Sequence, residues 1–174
     1  MTHLSEALAH TADAAEALTV DLVDAVTTRG WRVATAESLT GGNVATVLSA
    51  APGATSWFVG SVVSYSPEVK FGLLDVPRGP VVSAECAAQM ARRTGELLGA
   101  ELALALTGVG GPAPDEGEPA GTVWFAVAHP DGVRTVREVF DGDPPQVLTT
   151  AVARGLEILT AVAAHGPDAP VGHT

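Results

Sequence analysis

Residues 31–53, WRVATAESLTGGNVATVLSAAPG, decide the fold. The first seven, WRVATAE, are short, apolar and β-branched, the composition of a buried strand. The pattern breaks at Ser38-Leu39-Thr40-Gly41-Gly42, a turn, and resumes as a short helix closed by Pro52 and Gly53. A strand that runs straight into a helix is the first half of a βαβ unit, so a sheet with helical crossovers is expected.

The segments on either side agree. Upstream, residues 4–28 show helical spacing: Leu18, Leu22 and Val26 stand at steps of four beside Val23, and Gly30 is a stop. Downstream, WFVGSVVSYS (57–66) reads as a second strand buried on both faces, and Pro67 opens a short helix carrying Glu68 and Lys70. Ser83 is placed to cap a helix running to about Leu98, with Glu85 in its first turn. ELALALTG (101–108) is a third strand leading into the loop GVGGPAPDEGEPAG. GTVWFAVA and VRTVREVF are two strands joined by the hairpin signal His129-Pro130-Asp131-Gly132. Residues 146–164 form a last helix, with Val147, Leu148, Ala151, Val152, Leu156, Leu159 and Ala163 approximating one face. The expected organisation is one α/β domain, residues 1–164, with a mostly parallel sheet covered by helices and one antiparallel hairpin. Residues 165–174 are expected to be a flexible tail.

Composition limits the functions available. A chain of 174 residues, 47% hydrophobic and 17% charged, can bury a core. Its formal net charge of −11 opposes a general nucleic-acid partner. No uninterrupted apolar run has the length of a membrane span, and the first twenty residues hold three acids before any Lys or Arg, unlike a signal or transit peptide. A lone cysteine, Cys86, offers neither an internal disulfide nor a thiolate metal cluster, and the five histidines show no ligand spacing. The expectation is a reducing, cytoplasmic setting, with no metal.

Three expected strand ends carry residues with chemical potential. In Glu37-Ser38-Leu39-Thr40-Gly41-Gly42 a hydroxyl lies beside helix N-terminal amides, a turn able to bind an anion or an oxyanion; capping by Ser38 or Thr40 is the simpler alternative. In Tyr65-Ser66-Pro67-Glu68-Val69-Lys70, Tyr65 is the one tyrosine and Lys70 the one lysine among nine basic residues. Lys70 is either a solvated surface cation or the partner of Ser38 in a Ser–Lys pair, which demands a neutral amine. In Thr107-Gly108-Val109-Gly110-Gly111-Pro112, glycines either let a ligand approach the backbone or simply form a flexible turn. Asp115, Glu116 and Glu118 in the loop 113–118 read as a solvated acidic rim rather than a metal site.

These blocks together resemble the CinA C-terminal domain family, whose standalone members are the PncC-type nicotinamide-nucleotide amidohydrolases. The blocks are ATAESLTGG, PGATSWFVGSVVSYSPEVKFGLLDV, VSAE, ALTGVGGP, GTVWFAVA and FDGD, in order and at the right spacing over about residues 15–163. The resemblance implies a three-layer α/β/α sandwich with a five-stranded mixed, mostly parallel sheet. It implies hydrolysis of the carboxamide of nicotinamide mononucleotide, with Ser38 as nucleophile, Lys70 as base and Tyr65 supporting it. Thr40, Gly41, Gly42, Thr107, Gly108 and Gly111 fall on the family's pocket-forming blocks. It further implies no cofactor, a homo-oligomer, often a dimer, and a small-molecule nucleotide substrate with no nucleic-acid or membrane partner. The N-terminal domain of full-length CinA proteins is not expected here.

Five positions depart from the family pattern. Leu39 replaces a usual Cys, Pro67 and Val69 replace common Asn and Ala, and Gly110 replaces a frequent Ala. Pro144 stands where an Arg is common, next to the position at which the resemblance would set the nucleotide phosphate. Other readings of the chain are an amidase for a related unphosphorylated amide, a catalytically silent nucleotide-binding or regulatory module, and a structural partner domain.

Overall fold

The strands are β1 (Val33–Glu37), β2 (Phe58–Val63), β3 (Leu102–Gly108), β4 (Thr122–His129) and β5 (Gly132–Val139). The helices are α1 (19–29), α2 (Asn43–Ala50), α3 (Ala54–Trp57), α4 (Pro67–Leu73), α5 (Ala84–Leu98) and α6 (Pro144–His165). This computed structural model describes residue 17, residues 19–170 and residue 172. The expected helix over 4–28 therefore lies largely outside the described residues, and its described part, 19–29, buries Leu22 and Val26.

Among the described residues five strands form one sheet in the order β2-β1-β3-β4-β5. β2, β1 and β3 run parallel; β4 is antiparallel to β3, and β5 to β4, so β4 alone runs against the other four. The sheet is the mixed, mostly parallel one the sequence implies. Apolar clusters cover both faces. One joins α1, α2 and α6 to Leu102, Leu104, Leu106, Val123, Phe125 and Val127; the other joins α5 to Ala36, Ala105 and Ala126. The alternation along β3 and β4 sends successive side chains to opposite layers.

β2 corrects an expectation. It is the edge of the sheet, begins only at Phe58, and leaves Val59 and Val63 exposed rather than buried on both faces. An apolar β-branched run looks alike in a central and an edge strand, and among the described residues nothing pairs beyond it. Trp57 belongs instead to the single turn α3 and is buried.

α5 is capped as expected: the Ser83 hydroxyl accepts from Cys86 N, and Gly99 closes the helix at φ 64°. α6 starts two residues before the expected point, because Asp143 and Gln146 form a reciprocal capping box and Pro144 needs no N–H in the first turn. By length and composition α6 could cross a membrane, but 56% of its most apolar stretch is buried inside the protein, and Ile158 and Val162 add to its expected core face. Beyond His165 the chain turns back over the fold: Ala169 is buried, and Arg154 donates to the carbonyl of Gly172.

The register sets the site. Glu37 pairs with Val63 on one side and Leu106 on the other, so β1, β2 and β3 end together. From β1 the chain crosses to β2 on one side and then returns to β3 on the other. Such a switch in direction opens a crevice beyond the carboxyl ends of the strands.

Candidate active site

Ser38 follows β1, and its backbone N–H donates to Leu106 O at 3.1 Å, which locks its position to β3. Lys70 lies on α4, whose start is fixed by Ser66 accepting from Glu68 N and by Pro67 in the first turn. That short helix turns Lys70 inward until only 1% of it is exposed. The Lys70 Nζ donates to Ser38 Oγ at 2.9 Å, to Ser64 O at 2.7 Å and to Tyr65 O at 3.4 Å. Of the two readings of Lys70, the solvated surface cation is thereby excluded.

Burial pushes the Lys70 amine below its usual 10.5, while negative charge on Cys86 and on Glu116 pulls it the other way. Burial also pushes the Cys86 thiol up to about 11, so at neutral pH Cys86 is uncharged and only Glu116 opposes the lowering. Cys86 is core, with its sulfur 3.7 Å from that of Met90.

The pair opens into a cleft of about 530 Å³, in the range of ligand sites. Thr107, Gly108 and Gly111 line it together with Ser38 and Lys70. Gly108 has no space for a side chain, since a Cβ there would meet Thr122 O at 2.3 Å. The Thr107 hydroxyl is used for architecture, donating to Val81 O at 2.7 Å. A second hollow of about 560 Å³ lies at the other end of the sheet, around Arg32, Glu101 and His129, away from the Ser38–Lys70 pair.

Two expectations need correction. Tyr65 supports Lys70 through its backbone carbonyl, not its side chain, which is 72% exposed at the cleft mouth. Thr40, Gly41 and Gly42 do not line the cleft. They build the turn: Gly41 and Gly42 take φ of 60° and 103°, and the Thr40 hydroxyl donates to Glu37 Oε2 at 2.7 Å.

Glu37 is the residue the sequence reading passed over. It is fully buried, and its carboxylate also accepts from Gly42 N at 3.0 Å, Val44 N at 3.1 Å and Ala45 N at 2.8 Å. It thus occupies the α2 N-terminus that the sequence offers to an anion, and neutralises that end of the helix dipole. The available signal was a single carboxylate ending the apolar strand VATAE directly before a glycine turn. The N–H groups of Leu39, Thr40, Gly110 and Gly111 have no hydrogen-bond partner among the described residues.

The acidic loop is also more than a solvated rim. Glu116 accepts from Val81 N at 2.7 Å and Val82 N at 2.8 Å, and Glu118 pairs with Arg137 at 2.6 Å. These bonds strap the loop across the cleft beside Asp115, which lines it.

Comparison with known proteins identifies the family. Residues 15–163 match the model of the CinA C-terminal domain. The chain belongs to the CinA C-terminal domain family. This CinA C-terminal domain is 35% identical over 147 residues to a protein of Enterobacter agglomerans named nicotinamide-nucleotide amidohydrolase PncC, covering 80% of the chain and 90% of that protein. It is 40% identical over 151 residues to a CinA-like protein of Frankia casuarinae, covering 84% of the chain but 35% of the relative. The chain spans about a third of the length of the first CinA-like and competence-damage relatives it matches. A competence-damaged protein (CinA) superfamily structure from Klebsiella pneumoniae superposes with a TM-score of 0.82 at 37% identity, covering 87% of this chain and 98% of that one. A competence/damage-inducible protein of Agrobacterium tumefaciens does so with a TM-score of 0.79 at 29% identity, covering 85% and 94%.

Proposed function

We propose that this chain is an amidohydrolase that converts nicotinamide mononucleotide to nicotinate mononucleotide and ammonia, in pyridine-nucleotide recycling. The observation that carries the proposal is the buried 2.9 Å contact between Lys70 Nζ and Ser38 Oγ at the floor of the cleft. The name of the Enterobacter agglomerans relative supports the substrate.

Lysine acts as a base only as the neutral amine, and burial is the physical means of reaching that form. A neutral Lys70 keeps two N–H bonds for the carbonyls of Ser64 and Tyr65 and turns its lone pair to Ser38. The serine hydroxyl then becomes the donor in that contact. Ser38 Oγ attacks the carboxamide carbon while its proton passes to Lys70 Nζ. Negative charge gathers on the former carbonyl oxygen, and the free N–H groups of Leu39, Gly110 and Gly111, which line the cleft, are the donors available to it. Lys70 returns the proton to the departing nitrogen, the C–N bond breaks, and ammonia leaves a nicotinoyl ester on Ser38. Water, deprotonated by the same amine, cleaves that ester. The substrate's pyridinium makes the amide carbon more electrophilic and disfavours protonation of Lys70. Base, nucleophile and donors all come from this chain, so the scheme uses no metal or organic cofactor. The proposal places the enzyme in the cytoplasm as a homodimer, without nucleic-acid or membrane partners.

Ammonia release from nicotinamide mononucleotide by the purified chain tests it. Ser38→Ala and Lys70→Ala are each expected to lower kcat by about a thousandfold or more. Wild-type rates in both variants would refute the dyad. A wild-type chain that releases no ammonia would refute the activity.

A further inference from the structure

The cleft is poor in the groups that bind phosphate. A phosphate monoester carries nearly two negative charges at neutral pH, and proteins meet it with arginine forks, lysine ammoniums or free helix N-terminal amides. None of the eight arginines lines the cleft. Arg78 and Arg137, on segments near it, are held by Glu68 and Glu118. Lys70 is buried and engaged with Ser38 and two carbonyls. Among the described residues the only other charged side chain in the lining is Asp115, which is acidic.

The helix ends at the cleft are closed as well. α6 meets it through Pro144 and Leu148, but its first two residues are prolines without N–H groups. The next amide, Gln146 N, donates to Asp143 Oδ1, and Asp143 N donates to Gln146 Oε1. At α2, Glu37 holds the terminal amides. At α4, Pro67 lacks an N–H and Glu68 N is taken by Ser66.

We infer that this cleft reads the cationic carboxamide ring and leaves the phosphate unread, so that its substrates include unphosphorylated pyridinium carboxamide ribosides. Asp115 and Pro144 set that preference. Asp115 places an acid beside the path of a cationic ring, which attracts the pyridinium and repels a phosphate. Pro144 fills the helix start with an apolar ring, its Cγ 3.9 Å from where a Cβ on Gly111 would lie. The inference rests on the amidohydrolase activity proposed above.

The test compares kcat/KM for nicotinamide riboside and nicotinamide mononucleotide by ammonia release. The riboside is expected to perform at least as well as the nucleotide within a factor of about three. A stronger preference for the nucleotide overturns the inference while leaving the amidohydrolase activity standing. Turnover of neither substrate refutes the activity itself, and this inference with it. Pro144→Arg and Asp115→Asn supply a readout independent of overall activity, because each variant is its own control. Both are expected to raise the nucleotide-to-riboside ratio, Pro144→Arg by about tenfold or more. Unchanged ratios in both variants would show that neither residue sets the preference.

Discussion

Glu37→Gln isolates what holds the serine turn in place. The substitution keeps the shape of the side chain and removes its charge. In the native fold one carboxylate oxygen accepts from Thr40 Oγ1, Gly42 N and Val44 N, and the other from Ala45 N and, at 3.5 Å, from the hydroxyls of Thr35 and Ser61. An amide has a single acceptor oxygen, so the better orientation keeps the first three bonds and turns an NH2 toward Ala45 N–H. A part-buried donor is left unpaired, which costs about 1–3 kcal/mol, and three charge-assisted bonds become neutral ones at a further fraction of a kcal/mol each. The sum is about 2–4 kcal/mol, a large share of a typical folding stability of about 5–15 kcal/mol. Urea unfolding followed by tryptophan fluorescence measures it, and thermal unfolding should show Tm lowered by roughly 5–15 °C. Ser38 and the N–H group of Leu39 sit in the same turn, so kcat for amide hydrolysis should fall as well. A Glu37→Gln protein within about 1 kcal/mol of wild type would refute the account of the clamp.

Two further predictions concern titration. Burial lowers the Lys70 amine below 10.5, so between its folded value and 10.5 the unfolded chain binds more protons than the folded one. The cost of burying the ammonium is fully present below the folded value and vanishes as pH rises to 10.5. Wild type should therefore gain stability relative to Lys70→Met over that rise, by about 1.4 kcal/mol for each pH unit by which the amine is lowered. A difference that stays flat from neutral pH to 10.5 would contradict the sign. Cys86, with its thiol pushed from 9.0 up to about 11, should hold about a hundredfold less thiolate at pH 8 than an ordinary cysteine. Dithionitrobenzoate should leave the native chain untouched and titrate one thiol after denaturation, whereas rapid labelling of the native chain would show the site to be open.

Much of the fold was legible because its signals are local. Ser83 and Pro67 mark helix starts through groups within a few residues of themselves. The hairpin at His129–Gly132 needs only its own turn. The blocks around Ser38, Lys70 and Thr107 were legible as candidates, since serine, a lone lysine and glycines at strand ends stand out from an apolar background. The less legible parts depend on partners far along the chain. The exposure of β2 depends on which strand pairs beside it, and its own residues do not encode that. The roles of Glu116 and Glu118 depend on amides at Val81 and Val82 and on Arg137, and charge alone reads as a solvated rim.

By itself, the sequence determined the layered α/β arrangement and the candidates for chemistry, because periodicity, caps and turns act over one or two helical turns of chain. The tertiary structure decided which candidates meet. Parallel register ends β1, β2 and β3 together, and α4 folds Lys70 back until its amine lies 2.9 Å from a serine 32 residues earlier. It also separated residues that look alike in sequence. Thr107 lines the cleft, whereas Thr40 is turned into the clamp of Glu37. The physical reason is that burial and desolvation belong to the packed molecule. A lysine becomes a candidate base only where the fold has removed its water.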